Sequence, residues 1–299
     1  FFSEFRYEFR PDELTFIRHA PENMIRMGGD DYLHDDIDMT FTNAFEGNLK
    51  LSLVFEQEKF EFMEPVMVDV QLENMADDTV KVDRNVLKKI DNLKVVVRRN
   101  GGPSREWKEF IKAEFEDDII TLGKNGHKGS KLRRPLFLSG GGDDWIISEP
   151  GVYEVRGAIN VGDQVLFSSK EEITILPPVK RFTEEVIAQD YFESEVGHVM
   201  AVDGSITKET INEVFKKLIK DHKDSKAAIH ARVALAMPQT FRFKQPAAGQ
   251  KKMHWQNPNL EFAILELSDI LIKNRELSQP SLGTGEYNYY FDKLIEILQ

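Results

Sequence analysis

The stretch Ile147-Ser148-Glu149-Pro150-Gly151-Val152-Tyr153-Glu154-Val155 indicates the fold of this chain. Its Glu-Pro-Gly segment is typical of a tight turn, because Pro fixes φ and Gly accepts positive φ. The turn leads Tyr153 into an alternating strand, and a final strand ends at Pro177-Pro178. The stretch therefore predicts a late hairpin of an antiparallel β-sandwich.

The composition indicates a soluble globular chain with room for two domains. The 299 residues are 41% hydrophobic and 30% charged, which is ordinary for such proteins. The formal net charge of −12 argues against a general nucleic-acid binder, because that function needs basic surface to displace counterions from phosphates. No apolar run approaches the ~20 residues that span a bilayer. We therefore expect no nucleic-acid binding and no membrane insertion.

Common catalytic motifs are missing from the sequence. The absence of cysteine excludes disulfides, cysteine-based zinc sites and thiol nucleophiles. No His-Glu-x-x-His, Gly-x-Ser-x-Gly or phosphate-binding glycine motif occurs either. Aspartate and glutamate are plentiful, so a paired-carboxylate hydrolase stays open, although no pair stands out. The expectation is therefore a non-catalytic chain without a cofactor, apart from the calcium site considered below.

Period-two alternation between residues 48 and 176 predicts β-strands. Apolar residues alternate with polar ones in residues 49–55 and 65–74. Further predicted strands span residues 79–83, 93–99, 107–115, 131–138, 151–160 and 164–176. Turns rich in glycine and asparagine separate them. About eight short strands in about 130 residues are typical of a two-sheet antiparallel sandwich.

Helical periodicity begins after Pro177-Pro178. Thr183 is expected to cap the first helix, because Thr favours the N-cap position. Residues 208–220 carry an apolar stripe at helical spacing. Residues 227–237, 260–272 and 286–298 are further predicted helices, and residues 239–258 are interpreted as a polar loop. The pattern predicts a small all-α domain of five helices with no strand between them.

The N-terminal residues show no sustained period. Pro11 and the residues up to Ile17 are expected to open one short helix. An acidic run comes next, and residues 1–45 are interpreted as an acidic N-terminal connector. The predicted organisation is an α+β multidomain chain, with an antiparallel β-sandwich at residues 46–178 and a helical domain at residues 179–299.

Two segments resemble strands of bacterial immunoglobulin-like (Ig-like) domains. In residues 62–74, Glu64-Pro65 introduces an alternating strand that ends at Asn74, as in the second-strand region of those domains. Residues 149–155 are similar to the later strand, whose Tyr forms the tyrosine corner. Val155 stands where antibody-type domains carry a cysteine, so packing must replace the disulfide. The resemblance implies an Ig-like sandwich and says little about function.

Two further resemblances are shorter. Residues 12–22 are similar to the tail that leaves the catalytic domain of some bacterial matrixin-like metalloproteases, where an Ig-like region comes next. Residues 224–235 resemble a helix of tetratricopeptide-like hairpins, without the ~34-residue period of a repeat array. The start at Phe1-Phe2-Ser3-Glu4 predicts an excised piece of a longer polypeptide. A secreted or periplasmic location is favoured over a cytoplasmic one.

The acidic run is the candidate metal site. Asp30, Asp31, Asp35 and Asp36 supply the carboxylate oxygens that Ca²⁺ prefers. The run lacks the spacing and the central glycine of an EF-hand loop. A solvated acidic segment is the alternative interpretation.

Trp255, with Lys251 and Lys252, is the candidate contact patch. The three residues lie in the polar segment between predicted helices, and an exposed Trp beside cations is typical of protein–protein contacts. The alternative interpretation is a buried aromatic that anchors the segment onto the helices.

These patterns predict a non-catalytic accessory or protein-interaction module of a larger bacterial protein. Its partner is then another protein or an upstream domain of the same polypeptide. One alternative is a hydrolase, protease-associated or carbohydrate-active, with a site between the two domains. Another alternative is a protease-inhibitor-like binding domain formed by the sandwich.

Overall fold

The computed structural model describes most of the chain after residue 46. The described residues are 6–10, 15–19 and 47–299, except 90–91, 110–114, 142–143, 163, 203, 205–208 and 247–252. For residues 6–10, 15–19, 181–182, 243–246, 253–254 and 256 the description covers the backbone alone. The chain divides into two compact units, Phe1–Asp38 and Met39–Gln299. The predicted borders at residues 46 and 178 stay predictions.

The described part of the first unit is a β-hairpin. Strand β1 (Arg6–Arg10) pairs antiparallel with strand β2 (Thr15–His19), and Arg10 lies opposite Thr15. The prediction of a short helix that reaches Ile17 is therefore wrong. Thr, Phe and Ile follow each other at the start of β2, and such β-branched and aromatic residues favour a pleated strand.

The first sheet of the second unit has three antiparallel strands. Strand β5 (Met67–Asn74) lies between β3 (Leu49–Val54) and β10 (Lys131–Phe137). Alternate side chains of β5 are buried, because a pleated strand points successive residues to opposite faces. The strands predicted in these three places are confirmed.

The second sheet has six strands, with β13 at its centre. Its members are β4 (Lys59–Phe60), β7 (Leu93–Arg99), β8 (Ser104–Trp107), β13 (Gly151–Val161), β14 (Gln164–Phe167) and β15 (Glu171–Ile175). The order is β4-β15-β13-β7-β8, and β14 pairs with the far end of β13. The β4–β15 pair is parallel, and the other pairs are antiparallel. Two short antiparallel pairs accompany these sheets: β6 (Val80–Asp83) with β9 (Ile119–Leu122), and β11 (Gly140–Gly141) with β12 (Asp144–Trp145).

The three-stranded and six-stranded sheets share one hydrophobic core. Leu51 and Leu53 of β3 belong to the same buried cluster as Val95 of β7 and Val155 of β13. The sheets approach closely at Gly157, where an added Cβ would lie 3.3 Å from Cδ2 of Leu53. Each buried aliphatic side chain of this kind stabilises the fold by roughly 1.5–3 kcal/mol. The core between the sheets is therefore the main source of stability in the β region.

Tyr153 ties the turn before β13 to the strand itself. The side chain is 2% exposed, and its hydroxyl donates a hydrogen bond to the backbone carbonyl of Glu149 over 2.7 Å. Gly151 has a φ of +149°, which residues with a side chain rarely adopt. Val155, two residues further along, is fully buried. The predicted tight turn and the alternating strand after it are confirmed.

Two predicted strands differ from the structure. Trp107 ends β8 and does not begin a strand over residues 107–115; its indole Nε1 donates to the carbonyls of Phe137 (2.9 Å) and Gly140 (3.0 Å). The span predicted at 164–176 forms two strands, and the chain leaves the ladder at Ser168. There the Ser168 hydroxyl accepts a hydrogen bond from the Gly157 N–H over 2.8 Å. The Ser168 N–H also donates to the Gly157 carbonyl over 2.8 Å, so side chain and backbone of Ser168 together bind β13 where the strand ends.

Seven α-helices follow in the described part of the chain. They are α1 (Arg181–Tyr191), α2 (Ser194–Ala201), α3 (Glu209–Asp221), α4 (Lys226–Ala236), α5 (Leu260–Ser268), α6 (Arg275–Leu282) and α7 (Thr284–Leu298). A 3₁₀ turn (Met237–Thr240) follows α4, and a π-helical turn (Asp269–Lys273) follows α5. The prediction of five helices is therefore too low. None of the described helices combines the length and the apolar character that crossing a membrane would need.

The start of α1 and the segment after α4 also differ from the prediction. Helix α1 begins at Arg181, and the Thr183 hydroxyl donates to the Lys180 carbonyl over 3.1 Å instead of capping the helix. The predicted polar loop contains a hairpin, in which β16 (Phe243–Pro246) runs antiparallel to β17 (Met253–Gln256). The helical region therefore includes strands. The α+β class of the chain is confirmed.

Aromatic packing joins the helices to the sheets. Trp145 of β12 lies in one buried cluster with Ile187, Tyr191 and Phe215. Its indole Nε1 donates to the carbonyl of Glu193 over 3.0 Å. A second buried cluster fills the space among α4, α5, α6 and α7. The helices therefore form a layer that is packed both internally and against the β region.

Replacing Tyr153 with Phe should lower the free energy of unfolding by about 1 kcal/mol, because one buried hydrogen bond is lost. Tyr191→Phe is the matched control, since the Tyr191 hydroxyl is buried without a hydrogen-bond partner among the described residues. Its removal should leave stability unchanged or raise it. Urea titrations followed by circular dichroism measure both effects. Equal effects of the two substitutions would contradict the role given to the Tyr153 hydroxyl.

Candidate functional site

Trp255 lies on the hairpin at the helical end of the second unit. It is in β17 opposite Lys244 of β16, and 52% of the residue is exposed. The guanidinium of Arg242 lies over the indole ring, 4.9 Å from its centroid. An aromatic that anchored the segment would be buried, so this exposure favours the contact-patch interpretation over the anchor.

The other residues predicted for sites lie outside the described residues. These are Lys251 and Lys252 of the contact patch and Asp30, Asp31, Asp35 and Asp36 of the acidic run. Their roles stay predictions. Within the part of the chain that the structure describes, no group of three or more His, Asp or Glu side chains is arranged to hold a metal ion.

A groove of about 520 Å³ runs along helices α3, α4 and α5. Its lining residues are Asn212, Lys216, Ile219, Lys220, Arg232, Leu235, Gln239, Asn259, Phe262 and Glu266. Ile219, Leu235 and Phe262 supply apolar surface, while Lys216 and Lys220 are exposed. The hairpin with Trp255 lies in sequence between Gln239 and Asn259. Both ends of the hairpin are therefore within a few residues, in sequence, of residues that line the groove.

Local hydrogen bonds fix the walls of this groove. The Asn259 side chain caps α5 by accepting from the Phe262 N–H over 3.1 Å. Arg232 of α4 forms ion pairs with Glu266 and with Asp269, the latter at 2.7 Å. This hydrogen bond from Arg232 holds the pKa of the Asp269 carboxyl below its ordinary value. Arg232 therefore joins α4 to α5, and the lysines of α3 provide the exposed positive charge.

A basic segment of the sequence contributes residues to the groove. Residues 208–252 contain eleven Lys or Arg and only four Asp or Glu, in a chain whose net charge is −12. Exposed members of the segment include Lys216, Lys217, Lys220, Lys223 and Arg242. This local excess was missed from the sequence, because a net charge taken over the whole chain conceals it.

A second, smaller cavity of about 170 Å³ lies between the sheets and the helices. Arg134 of β10 pairs there with Glu109 and donates to the Leu87 carbonyl over 2.7 Å. Burial lowers the pKa of Arg134 from its ordinary value. His230 of α4 and Tyr290 of α7 line the cavity as well. The hydrolase alternative predicts a site between the β region and the helices, and this cavity is lined by residues of both.

A buried polar cluster lies next to this cavity. Glu64 is 3% exposed, and its carboxylate accepts from the Glu61 N–H over 2.7 Å and lies 3.6 Å from the Lys226 ammonium. Burial raises the pKa of Glu64. His230 Nε2 lies 3.1 Å from the hydroxyl of Ser281, and burial lowers the pKa of His230 to about 3.

The Ser281–His230 pair has the distance of a nucleophile and its base but lacks the other properties. Ser281 is fully buried, so no substrate reaches its hydroxyl. A histidine with a pKa of about 3 is a weak base, whereas general-base catalysis works best with a pKa near the working pH. We interpret the pair as a structural hydrogen bond that satisfies two buried polar groups.

The comparisons with known proteins give no family for this chain. No family model matches it, and no curated protein matches it. The alkylpurine DNA glycosylase AlkC of Pseudomonas fluorescens, bound to DNA with an abasic site analog, is similar over 44% of this chain and 31% of its own, with 15% identity and a TM-score of 0.26. The sporulation control protein Spo0M of Bacillus subtilis is similar over 48% and 55%, with 10% identity and a TM-score of 0.27. A β-glucosidase of Listeria innocua is similar over 46% and 17%, with 12% identity and a TM-score of 0.26.

These similarities carry no argument about function. The matched parts cover less than two thirds of each of these proteins, and the TM-scores are low. The interpretation of the surface around Trp255 therefore rests on the geometry and the charges of this chain.

Because of His230, the free energy of unfolding should decrease as the pH is lowered below about 6.5. An unfolded histidine binds its proton near that pH, whereas the folded one binds it only near pH 3. The stability that neutral His230 provides is thus fully present above pH ~6.5. It is lost on acidification by at most about 1.4 kcal/mol per pH unit.

The His230→Gln variant isolates this effect, because Gln keeps a polar group but does not titrate. Urea unfolding from about pH 7 to about pH 4 should give a shallower pH dependence for this variant than for the wild type. Glu64, whose pKa is raised, acts in the opposite direction but is present in both proteins. Substitution of the exposed His127 serves as control. Parallel curves for wild type and His230→Gln would show that His230 does not titrate as described.

Proposed function

We propose that this chain is a non-catalytic protein-interaction module of a larger bacterial protein. The observation that carries the proposal is Trp255, half exposed on a hairpin and beneath an arginine. Trp and Arg are the residues most enriched where binding energy concentrates in protein interfaces. The sheets are then a scaffold, and the helical end makes the contact.

An Ig-like sandwich is the proposed form of the scaffold. In Ig-like domains the second strand lies between the first and the fifth, and β5 lies between β3 and β10 in the same way. The opposite sheet of such domains places the sixth strand between the third and the seventh, as β13 lies between β7 and β15. The Tyr153–Glu149 hydrogen bond has the geometry of a tyrosine corner.

The wider context is also a proposal. The resemblance of residues 12–22 supports a place after a matrixin-like protease domain, and with it a secreted or periplasmic location. The likeness to tetratricopeptide-like hairpins is supported by the packing of α3 against α4, where Phe215 and Ala231 share one buried cluster. Ser225 caps α4 by accepting from the Ala228 N–H over 3.2 Å.

Two exposed apolar side chains of the helical region offer further contact surface. Phe241, directly before β16, is 44% exposed, and Leu265 on α5 is 62% exposed. Water contact with such surface is unfavourable, and burying it against a partner contributes about 25 cal/mol per Å². Arg242 stacked on Trp255 offers a flat, cationic surface.

Trp255→Ala should weaken binding to a partner recovered with the full chain by about thirtyfold, as expected for a residue at the centre of an interface. The measurement is a pull-down with the immobilised chain, followed by isothermal titration calorimetry with the purified partner. Phe167→Ala is the matched control, because Phe167 is an exposed aromatic of β14 that also has an arginine, Arg156, 5.2 Å from its ring centroid.

Equal affinities of wild type and Trp255→Ala would contradict the assignment of the contact patch. The hydrolase alternative predicts turnover in a broad screen of peptide and glycoside substrates, with and without metal ions. Clear turnover by the full chain would overturn the non-catalytic proposal. The inhibitor-like alternative predicts that the chain binds a protease, with Trp255→Ala and wild type equally effective.

A further inference from the structure

We infer that the groove along α3, α4 and α5 binds an acidic amphipathic peptide segment of the partner protein. The inference rests on the proposed function and adds the chemistry of the partner. It follows from three observations. The groove has an apolar floor, its rim carries lysines, and the remainder of the chain is acidic.

The floor of the groove is suited to apolar side chains on one face of a helix. Ile219, Leu235 and Phe262 come from three different helices and meet in the groove. Its volume of about 520 Å³ lies within the range of pockets that hold ligands with several apolar groups. A peptide helix would fill it with side chains at spacings i, i+3 or i+4 and i+7.

The rim of the groove selects acidic residues. Lys216 and Lys220 are one helical turn apart on α3, so both point to the same side. Lys216 has an exposed ion pair with Glu213 at 2.7 Å, and such solvent-screened pairs are weak. A partner carboxylate therefore displaces this contact easily. Glu266, also in the groove, is held by Arg232, so it adds little repulsion.

A peptide fits this surface better than a nucleic acid does. A nucleic-acid site needs a basic track to replace many counterions. Here the positive charge flanks an apolar floor, and the chain as a whole carries a net charge of −12. A peptide can match both parts, with apolar residues on one face and carboxylates at its edges.

A random peptide library displayed on phage and selected on the immobilised full chain tests the inference. Enriched peptides should combine Asp or Glu with aliphatic or aromatic residues at helical spacing. Their labelled synthetic forms should bind about tenfold or more weakly to Lys216→Glu/Lys220→Glu in fluorescence polarisation. Added salt should weaken binding to the wild type.

Lys59→Glu/Lys81→Glu is the matched control, because it makes the same charge change at exposed lysines of the β region. Its affinities should stay within about twofold of the wild type. Phe262→Ala tests the floor and should also weaken binding. Circular dichroism melts check that each variant folds.

Several results would overturn the inference: a selection without binders, enriched peptides without acidic residues, or equal binding by Lys216→Glu/Lys220→Glu and wild type. Preferential binding of a single-stranded DNA oligonucleotide to the same lysines would overturn it too. A partner whose affinity depends on Trp255 but not on Lys216 and Lys220 would leave the proposed function standing and remove the groove inference alone.

Discussion

The packing of Trp145 is the interaction on which the arrangement of sheets and helices depends. Its ring lies 5.7 Å from that of Phe137 in β10, and 5.3 Å and 5.1 Å from those of Tyr191 and Phe192 at the end of α1. Aromatic pairs of this kind add roughly 0.5–1.5 kcal/mol beyond the area they bury. The indole N–H is used as well, by the Glu193 carbonyl. The Trp145 side chain thereby packs against both a sheet and a helix, and this contact fixes the helical layer relative to the sheets.

Polar contacts at the same boundary position α4, which forms a wall of the groove. The Lys226 N–H, in the first turn of α4, donates to the Glu61 carboxylate over 2.9 Å, where the positive end of the helix dipole favours an acid. Glu64 and Lys226 meet nearby with little exposure. Desolvation offsets most of the attraction in such buried pairs. We therefore interpret this cluster as a device that sets the position of α4, while the aromatic and aliphatic contacts provide the stability.

The sequence was most informative where a single segment determines the structure. Alternation over eight residues predicted β5, and the apolar stripe predicted α3, because both signals are local. Around the hairpin, alternation covers only four residues at a time (Phe241–Lys244 and Met253–Gln256) and Pro246 interrupts it, so the sequence predicts a loop there. The sequence identifies Trp255 as a candidate from its residue type and its place near Lys251 and Lys252 in a polar segment. The groove could not be predicted, because it exists only where α3, α4 and α5 meet, through contacts between residues far apart in sequence.

The distribution of charge along the chain affects how an acidic partner would approach the groove. Residues 208–252 carry eleven Lys or Arg against four Asp or Glu, in a chain whose net charge is −12, so this segment attracts an acidic partner. Charge of this kind affects the rate and orientation of encounter more than the final affinity. An acidic peptide would thus be directed to the lysine rim of the groove, where the apolar floor supplies binding energy.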